Sequence, residues 1–266
     1  MKKSYKWGSL SQLDHKNIVG QNPVVLIPVG SIEQHGHHLP VLTDSMIVER
    51  VADLAVQKAA AQVPVLLMPT FCWGTSTHHI EFAGTITLKE TTLIQVLTEI
   101  GLSVAHHGYG KIMFLNGHGA NLAPLQVVVN QIRHETQSKV VAACASYWNF
   151  IKEEVKPIKE TEDGGIAHAG EFETSAIMEI AEELVEMDRA VQFTPAWSNG
   201  YYKPGWWTPR KIGVGFHLAD FTPTGTVGNP LVASKEKGKK FLDVTVDRVS
   251  EFLVAFHKFN FENMCD

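Results

Sequence analysis

P-V-G-S-I-E-Q-H-G-H-H-L-P-V-L-T-D, residues 28–44, is the stretch on which the reading of this chain turns. An apolar run, Val24–Val29, delivers it, and a helical pattern from Ser45 carries the chain away. Within it stand Glu33, His35, His37, His38 and Asp44. Carboxylate plus imidazole is a donor set suited to Zn²⁺ or Mn²⁺. Residues two apart in extended chain point the same way, so Glu33 and His35 can face one cavity. Asp44 falls where the next helix begins. A polar loop closed by an ordinary N-cap Asp accounts for the same residues equally well, and later stretches must decide.

Outward from this stretch, strands and helices alternate. Val24–Val29 lies between Pro23 and Gly30 and suits a strand buried on both faces, as in a parallel sheet. A helix is expected over 45–62, with Met46, Ile47, Val51, Leu54 and Ala55 at helical spacing. A strand follows over 63–69. Residues 71–88, rich in Gly, Thr and His, interrupt the rhythm and read as a site loop leading into a short strand, 85–88. A helix over 89–107 stops at Gly108 and Gly110. Then come a strand over 111–115, a helix over 122–137 and a strand over 140–147. Residues 152–165 read as a charged loop, 168–184 as a helix and 234–258 as a long amphipathic helix. A short capped helix over 9–18 precedes them all. Residues 193–230, rich in Pro, Trp and Tyr, are too long for a plain connection and read as a substrate lid or a subunit contact. The pattern implies an α/β fold, a parallel sheet covered on both faces, with residues 1–266 forming one domain.

Composition narrows the function. The chain has 266 residues, 44% hydrophobic, with a net charge of −5 and no basic stripe, which argues against nucleic-acid binding. No apolar run reaches membrane-spanning length, and the early lysines are followed by no signal-type apolar segment, so a cytoplasmic protein is expected. Cys72, Cys144 and Cys265 match no disulfide or CxxC framework.

Two further motifs favour the metal reading. N-G-H-G-A-N, 116–121, puts His118 between glycines at a strand-to-helix turn; it lacks the Lys and the spacing of a phosphate-binding loop. H-A-G-E-F-E-T-S, 168–175, puts His168 and Glu171 three apart, on one face if both are helical. Glu173 would then point away and only complement the helix dipole. In parallel α/β sheets, ligands sit beyond the carboxyl ends of the strands, where these residues converge. Glu33, Asp44, Glu171 and a bridging hydroxide would neutralise two divalent cations, with His35 and His118 as neutral donors. Such a centre generates hydroxide near neutral pH and polarises a carbonyl.

At these motifs, together with F-A-G-T (82–85) and G-N-P-L-V-A-S-K-E-K-G (228–238), the chain resembles the creatininase (creatinine amidohydrolase) family. The resemblance implies a three-layer α/β/α sandwich, often hexameric, with two divalent metals, most often Zn²⁺ or Mn²⁺, that hydrolyses cyclic or linear amide C–N bonds. It assigns Glu33, Asp44 and His118 to one metal and His35, Asp44 and Glu171 to the other, with Asp44 bridging. His168, on the helical face expected to be shared with Glu171, is the expected catalytic proton shuttle, and the resemblance lines the substrate pocket with His79 and Trp148. The expected partners are a small amide or lactam substrate and further copies of the chain. Ala167 and Gly164 stand where creatininase has Glu and Trp, and Gly119 and Ala120 fill the loop from which it draws a metal carboxylate. Creatinine itself is therefore not the expected substrate. Other branches of the family act on formamidopyrimidine-type intermediates or trim the peptide precursor of a redox cofactor. A non-catalytic metal- or metabolite-binding protein of the same fold is the rival class.

Overall fold

The structure, a computed structural model, describes residues 4–162, 164–194, 205–208 and 211–260. Its four strands, β1 (Val24–Val29), β2 (Val65–Leu67), β3 (Lys111–Asn116) and β4 (Val141–Ser146), form one parallel sheet in the order β2-β1-β3-β4. β1 is apolar throughout because it faces two cores. Val24 and Leu26 join Met113 and Leu115 on one face of the sheet. Val25, Ile27 and Val29 join Ile112 and Phe114 on the other. Alternation still operates; both sides of it are buried. Pro28 breaks no ladder on the β2 side, because that pairing ends at Leu26↔Leu67.

The helices in chain order are α1 (Gln12–Ile18), α2 (Thr43–Ala59), α3 (Glu90–His106), α4 (Leu122–Glu135), α5 (Lys152–Val155), α6 (Glu171–Ala181) and α7 (Lys235–Lys258). Helices α2, α6 and α7 cover the first face, and α3 with α4 covers the second. The result is the expected α/β/α sandwich. Helix α7 is started by Ser234, whose side chain accepts from the Lys237 N–H. Its last carbonyls, those of Phe256 and His257, are capped by the buried Lys111 ammonium. No helix among the described residues is long and apolar enough to cross a membrane.

Register sets up the site. Val29 pairs with Asn116, and Asn116 with Ser146. Three strands therefore end level, and the loops after them leave from one edge.

Three local expectations differ from the structure. Residues 85–88 form no strand; Ile86 makes only an isolated antiparallel bridge to Ile32. The loop 152–165 contains the single-turn helix α5. Helix α6 begins at Glu171, not 168, because Ala169 takes a left-handed conformation (φ 52°) that no helix accommodates. Trp197, Tyr201, Tyr202 and Cys265 lie outside the described residues.

Candidate metal centre

Each functional side chain is placed by an element end. After β1 the chain makes a closed loop in which the Glu33 N–H donates to Val41 O, 2.9 Å. Gly36 holds φ 68° inside it, and a Cβ there would meet Thr226 Oγ1 at 2.5 Å. This loop turns Glu33 and His35 inward, while His37 stays exposed and His38 bonds Thr174 Oγ1 at 3.0 Å. Asp44 sits in the first turn of α2. After β3, Gly117 lets the chain pass close under α2; a Cβ there would lie 2.9 Å from Asp44 O. His118 follows, its backbone clamped by both side-chain amide atoms of Asn116. His168 is held in extended chain by a reciprocal backbone pair with Val227.

The cluster centres on Asp44. Its Oδ1 lies 3.1 Å from His35 Nε2, and its Oδ2 lies 3.1 Å from His118 Nδ1. Glu33 Oε2 is 3.2 Å from the same His118 nitrogen. Glu33 Oε1 is 3.6 Å from both His79 Nε2 and His168 Nδ1. Glu33, His35, Asp44, His79 and His118 are all buried.

Backbone carbonyls fix which nitrogen each ring offers. His35 Nδ1 donates to Glu33 O (3.1 Å), His118 Nε2 to Thr75 O (2.9 Å) and His168 Nε2 to Gln34 O (2.8 Å). The lone-pair nitrogens are then His35 Nε2, His118 Nδ1 and His168 Nδ1, all facing the carboxylates. This is the outer-shell arrangement that orients metal-ligating imidazoles.

The charges favour a cation. Glu33 Oε1 and Asp44 Oδ2 are buried without a hydrogen-bond partner. Burial opposes charge on His35, but Asp44, Glu173 and Glu33 outweigh it and push the ring up to about 10. Burial likewise opposes charge on His118, and Glu33 with Asp44 raise it well above the ordinary value. Burial raises Glu173. The carboxylates thus draw protons onto the rings, the demand a divalent ion would meet. Three donor groups lie close enough to share an ion: Glu33, His35 and Asp44; Glu33, His79 and His168; and His35, His168 and Glu173. Burial holds His79 and His168 well below the ordinary imidazole value, so both are neutral.

Glu171 is not among these donors, which corrects the expected ligand set. Its fully buried carboxylate accepts from Lys237 Nζ (2.8 Å), Glu160 N (2.9 Å), Thr161 N (3.0 Å) and Thr161 Oγ1 (2.7 Å). Glu173 faces the cluster instead, with Oε2 3.8 Å from His35 Nε2 and 2.6 Å from the Ala169 N–H that donates to it. The exchange follows from the helix start. Two residues apart on a helix diverge by about 200°, so a carboxylate bound to the 160–161 loop leaves its neighbour two places on for the other side.

These groups open onto a cavity of about 600 Å³, ordinary for a ligand site. His79 and Trp148 line it, together with His78, Glu173 and Ala167. Sequence reasoning missed Glu173, His78 and the wall at 205–221. Gly170 was the available signal for a later helix start, and hence for Glu173.

Fold and cluster together define a three-layer α/β/α protein with a candidate carboxylate–imidazole metal site at the carboxyl edge of its sheet. The chain belongs to the creatininase (creatinine amidohydrolase) family, whose sequence profile matches residues 9–253. A mycofactocin precursor peptide peptidase of Mycobacterium ulcerans is 34% identical over 230 residues, 85% of this chain and 82% of its own. A creatinine amidohydrolase of Pseudomonas putida is 27% identical over 265 residues, 94% of this chain and 96% of its own. A crystal structure of creatininase superposes with a TM-score of 0.83 at 25% identity, over 97% of this chain and all of its own (100%). A manganese form of creatininase matches at TM-score 0.80 and 26% identity, over 94% of this chain and 98% of its own.

Proposed function

We propose that this chain is a two-metal amidohydrolase cleaving an amide C–N bond. The observation that carries the reading is Asp44, whose two oxygens address His35 on one side and His118 on the other. Glu33, Asp44 and His118 would hold one ion, and His35, Asp44 and Glu173 the other, Zn²⁺ or Mn²⁺ by the softness of the donors. Two carboxylates beside each ion, one of them shared, leave room for water and substrate. Bound there, the ions would supply activated water and a polarised carbonyl. Net addition of water puts hydroxyl on the acyl carbon and a proton on the leaving nitrogen. His168 is the group to carry that proton: it is neutral, its Nδ1 faces Glu33, and its Nε2 is anchored on Gln34 O. His79 and Trp148 border the substrate. The similarity to a peptide peptidase and to a creatinine amidohydrolase supports amide substrates, peptide or small molecule.

The test is metal analysis with hydrolysis of an amide panel that includes short peptides, lactams and formamides. Close to two ions per chain and metal-dependent turnover of at least one member are expected. A fully metal-loaded protein that hydrolyses none of them would be the non-catalytic binding protein of the same fold.

A further inference from the structure

Beside the metal-ligand cluster, the cavity has a second wall built from residues 205–206 and 212–221. Trp206 anchors it. Its ring stacks on Trp148 (centroids 4.8 Å, 21°) and meets Phe172 and Tyr147 edge-on at 5.0 and 5.8 Å. Its backbone N–H donates to Ile166 O, 3.2 Å, tying it to the segment that carries Ala167 and His168. The turn before it rests on bare backbone: a Cβ at Gly205 would lie 3.4 Å from Gly164 Cα. The neighbouring Trp207 Nε1 donates to Trp148 O, 2.9 Å, which locks the two tryptophan segments together.

The rest of this wall is apolar, formed by Ile212, Val214, Phe216, Leu218 and Phe221. Among the described lining residues there is no Lys or Arg, and every ionisable group belongs to the carboxylate–imidazole end. The cavity is therefore divided. One end is suited to cations and polar atoms; the other offers aromatic and aliphatic side chains. A compact polar lactam would use only the first end and leave water against the second, forgoing the apolar burial that stabilises binding.

We infer that Trp206 determines specificity, and that the substrate is an amide with a flat, uncharged apolar group next to the scissile bond. This rests on the amidohydrolase reading above. The indole takes the flat group against the apolar wall. Trp206 is fixed by four aromatic neighbours and a backbone bond, so little ordering is lost on binding.

The test uses the full metal-loaded chain with blocked dipeptides that differ only in carrying Gly or Phe beside the cleaved bond. The Phe member should have a kcat/KM at least about tenfold higher, a gap that apolar pockets commonly reach. Trp206→Ala should raise KM for the Phe member by about the same factor and leave the Gly member within about twofold. Trp206→Phe should restore most of the difference, which separates lost recognition from lost folding. Calorimetry supplies a second arm, with N-methylbenzamide and N-methylacetamide as uncleaved probes. Tighter binding of the benzamide, lost in Trp206→Ala, supports the inference even if no dipeptide is hydrolysed, a result that would count against the amidohydrolase reading alone. Equal kcat/KM for the Gly and Phe members, or benzamide binding unchanged in Trp206→Ala, overturns it.

Discussion

Glu171 and Lys237 meet at 2.8 Å on the far side of the first turn of α6 from the metal-ligand cluster. With the 160–161 backbone, the pair fastens the segment before His168 to α7. Glu171→Gln should therefore keep the full metal complement, read by elemental analysis, and lose stability of about 1–3 kcal/mol in urea unfolding. Glu173→Gln should do the reverse and lose metal beside His35. Loss of an ion from the Glu171 variant would return that residue to the ligand set.

The same carboxylate sets a pH dependence. Burial pushes Glu171 up, but Lys237, Thr161 and the 160–161 N–H groups outweigh it and hold it below the ordinary carboxylate value. A depressed native pKa means that the unfolded chain binds more protons in that window, so stability rises with pH through it. The stability gap between the native chain and Glu171→Gln should be full above about pH 4.3, the ordinary Glu value, and shrink on acidification below it. A gap that widens toward acid contradicts the assignment.

Asp44 tests the bridge. Asp44→Ala should release both ions, whereas His118→Ala should release one. Metal stoichiometry decides, and the loss of a single ion from Asp44→Ala would mean that the two sites share no ligand.

Much of this was legible in sequence for a physical reason. Val24–Val29 and Ile112–Leu115 are buried on both faces, so their strands read as apolar runs. Glu33, His35 and His118 fall just after such runs, and the level strand ends carry them to one edge. The failures lie where local pattern is overruled. Ala169 at φ 52° shifts the start of α6 and exchanges the roles of Glu171 and Glu173. The short strand expected at the end of the site loop, 85–88, finds no partner strand beyond one bridge. The wall at 205–221 has no period at all; contacts with Ile166 and Trp148, distant in sequence, place it.

Creatinine should be a poor substrate. Ala167 lines the cavity, and Gly164 three residues before it holds φ 100°, a conformation that strains any L side chain. No large residue can close the cavity from that position. Turnover of creatinine should stay below about 10 s⁻¹, the median for enzymes on their own substrates. A rate above that would contradict the reading of this wall.

His168 separates ligand from acid–base catalyst. It does not share a helical face with its neighbours, since α6 starts three residues later; its backbone pairing with Val227 positions it. Its Nε2 is committed to Gln34 O, so only Nδ1 faces the reaction, 3.6 Å from Glu33 Oε1. That nitrogen is close enough to take a place at an ion with Glu33 and His79, or with His35 and Glu173. Asp44, Glu33 and Glu173 with a bridging hydroxide would already balance two divalent ions, with His35 and His118 as neutral donors, and a further ligand would occupy the space a leaving nitrogen needs. His168→Ala should accordingly retain both ions and the fold, and lose about 10²- to 10⁴-fold in kcat, the usual cost of removing a general acid–base. KM should change far less, because the proton is transferred after the substrate is seated. Elemental analysis and steady-state kinetics on the same preparation decide between the roles. An ion lost from His168→Ala makes it a ligand, and an unchanged kcat on the true substrate removes it from the chemistry.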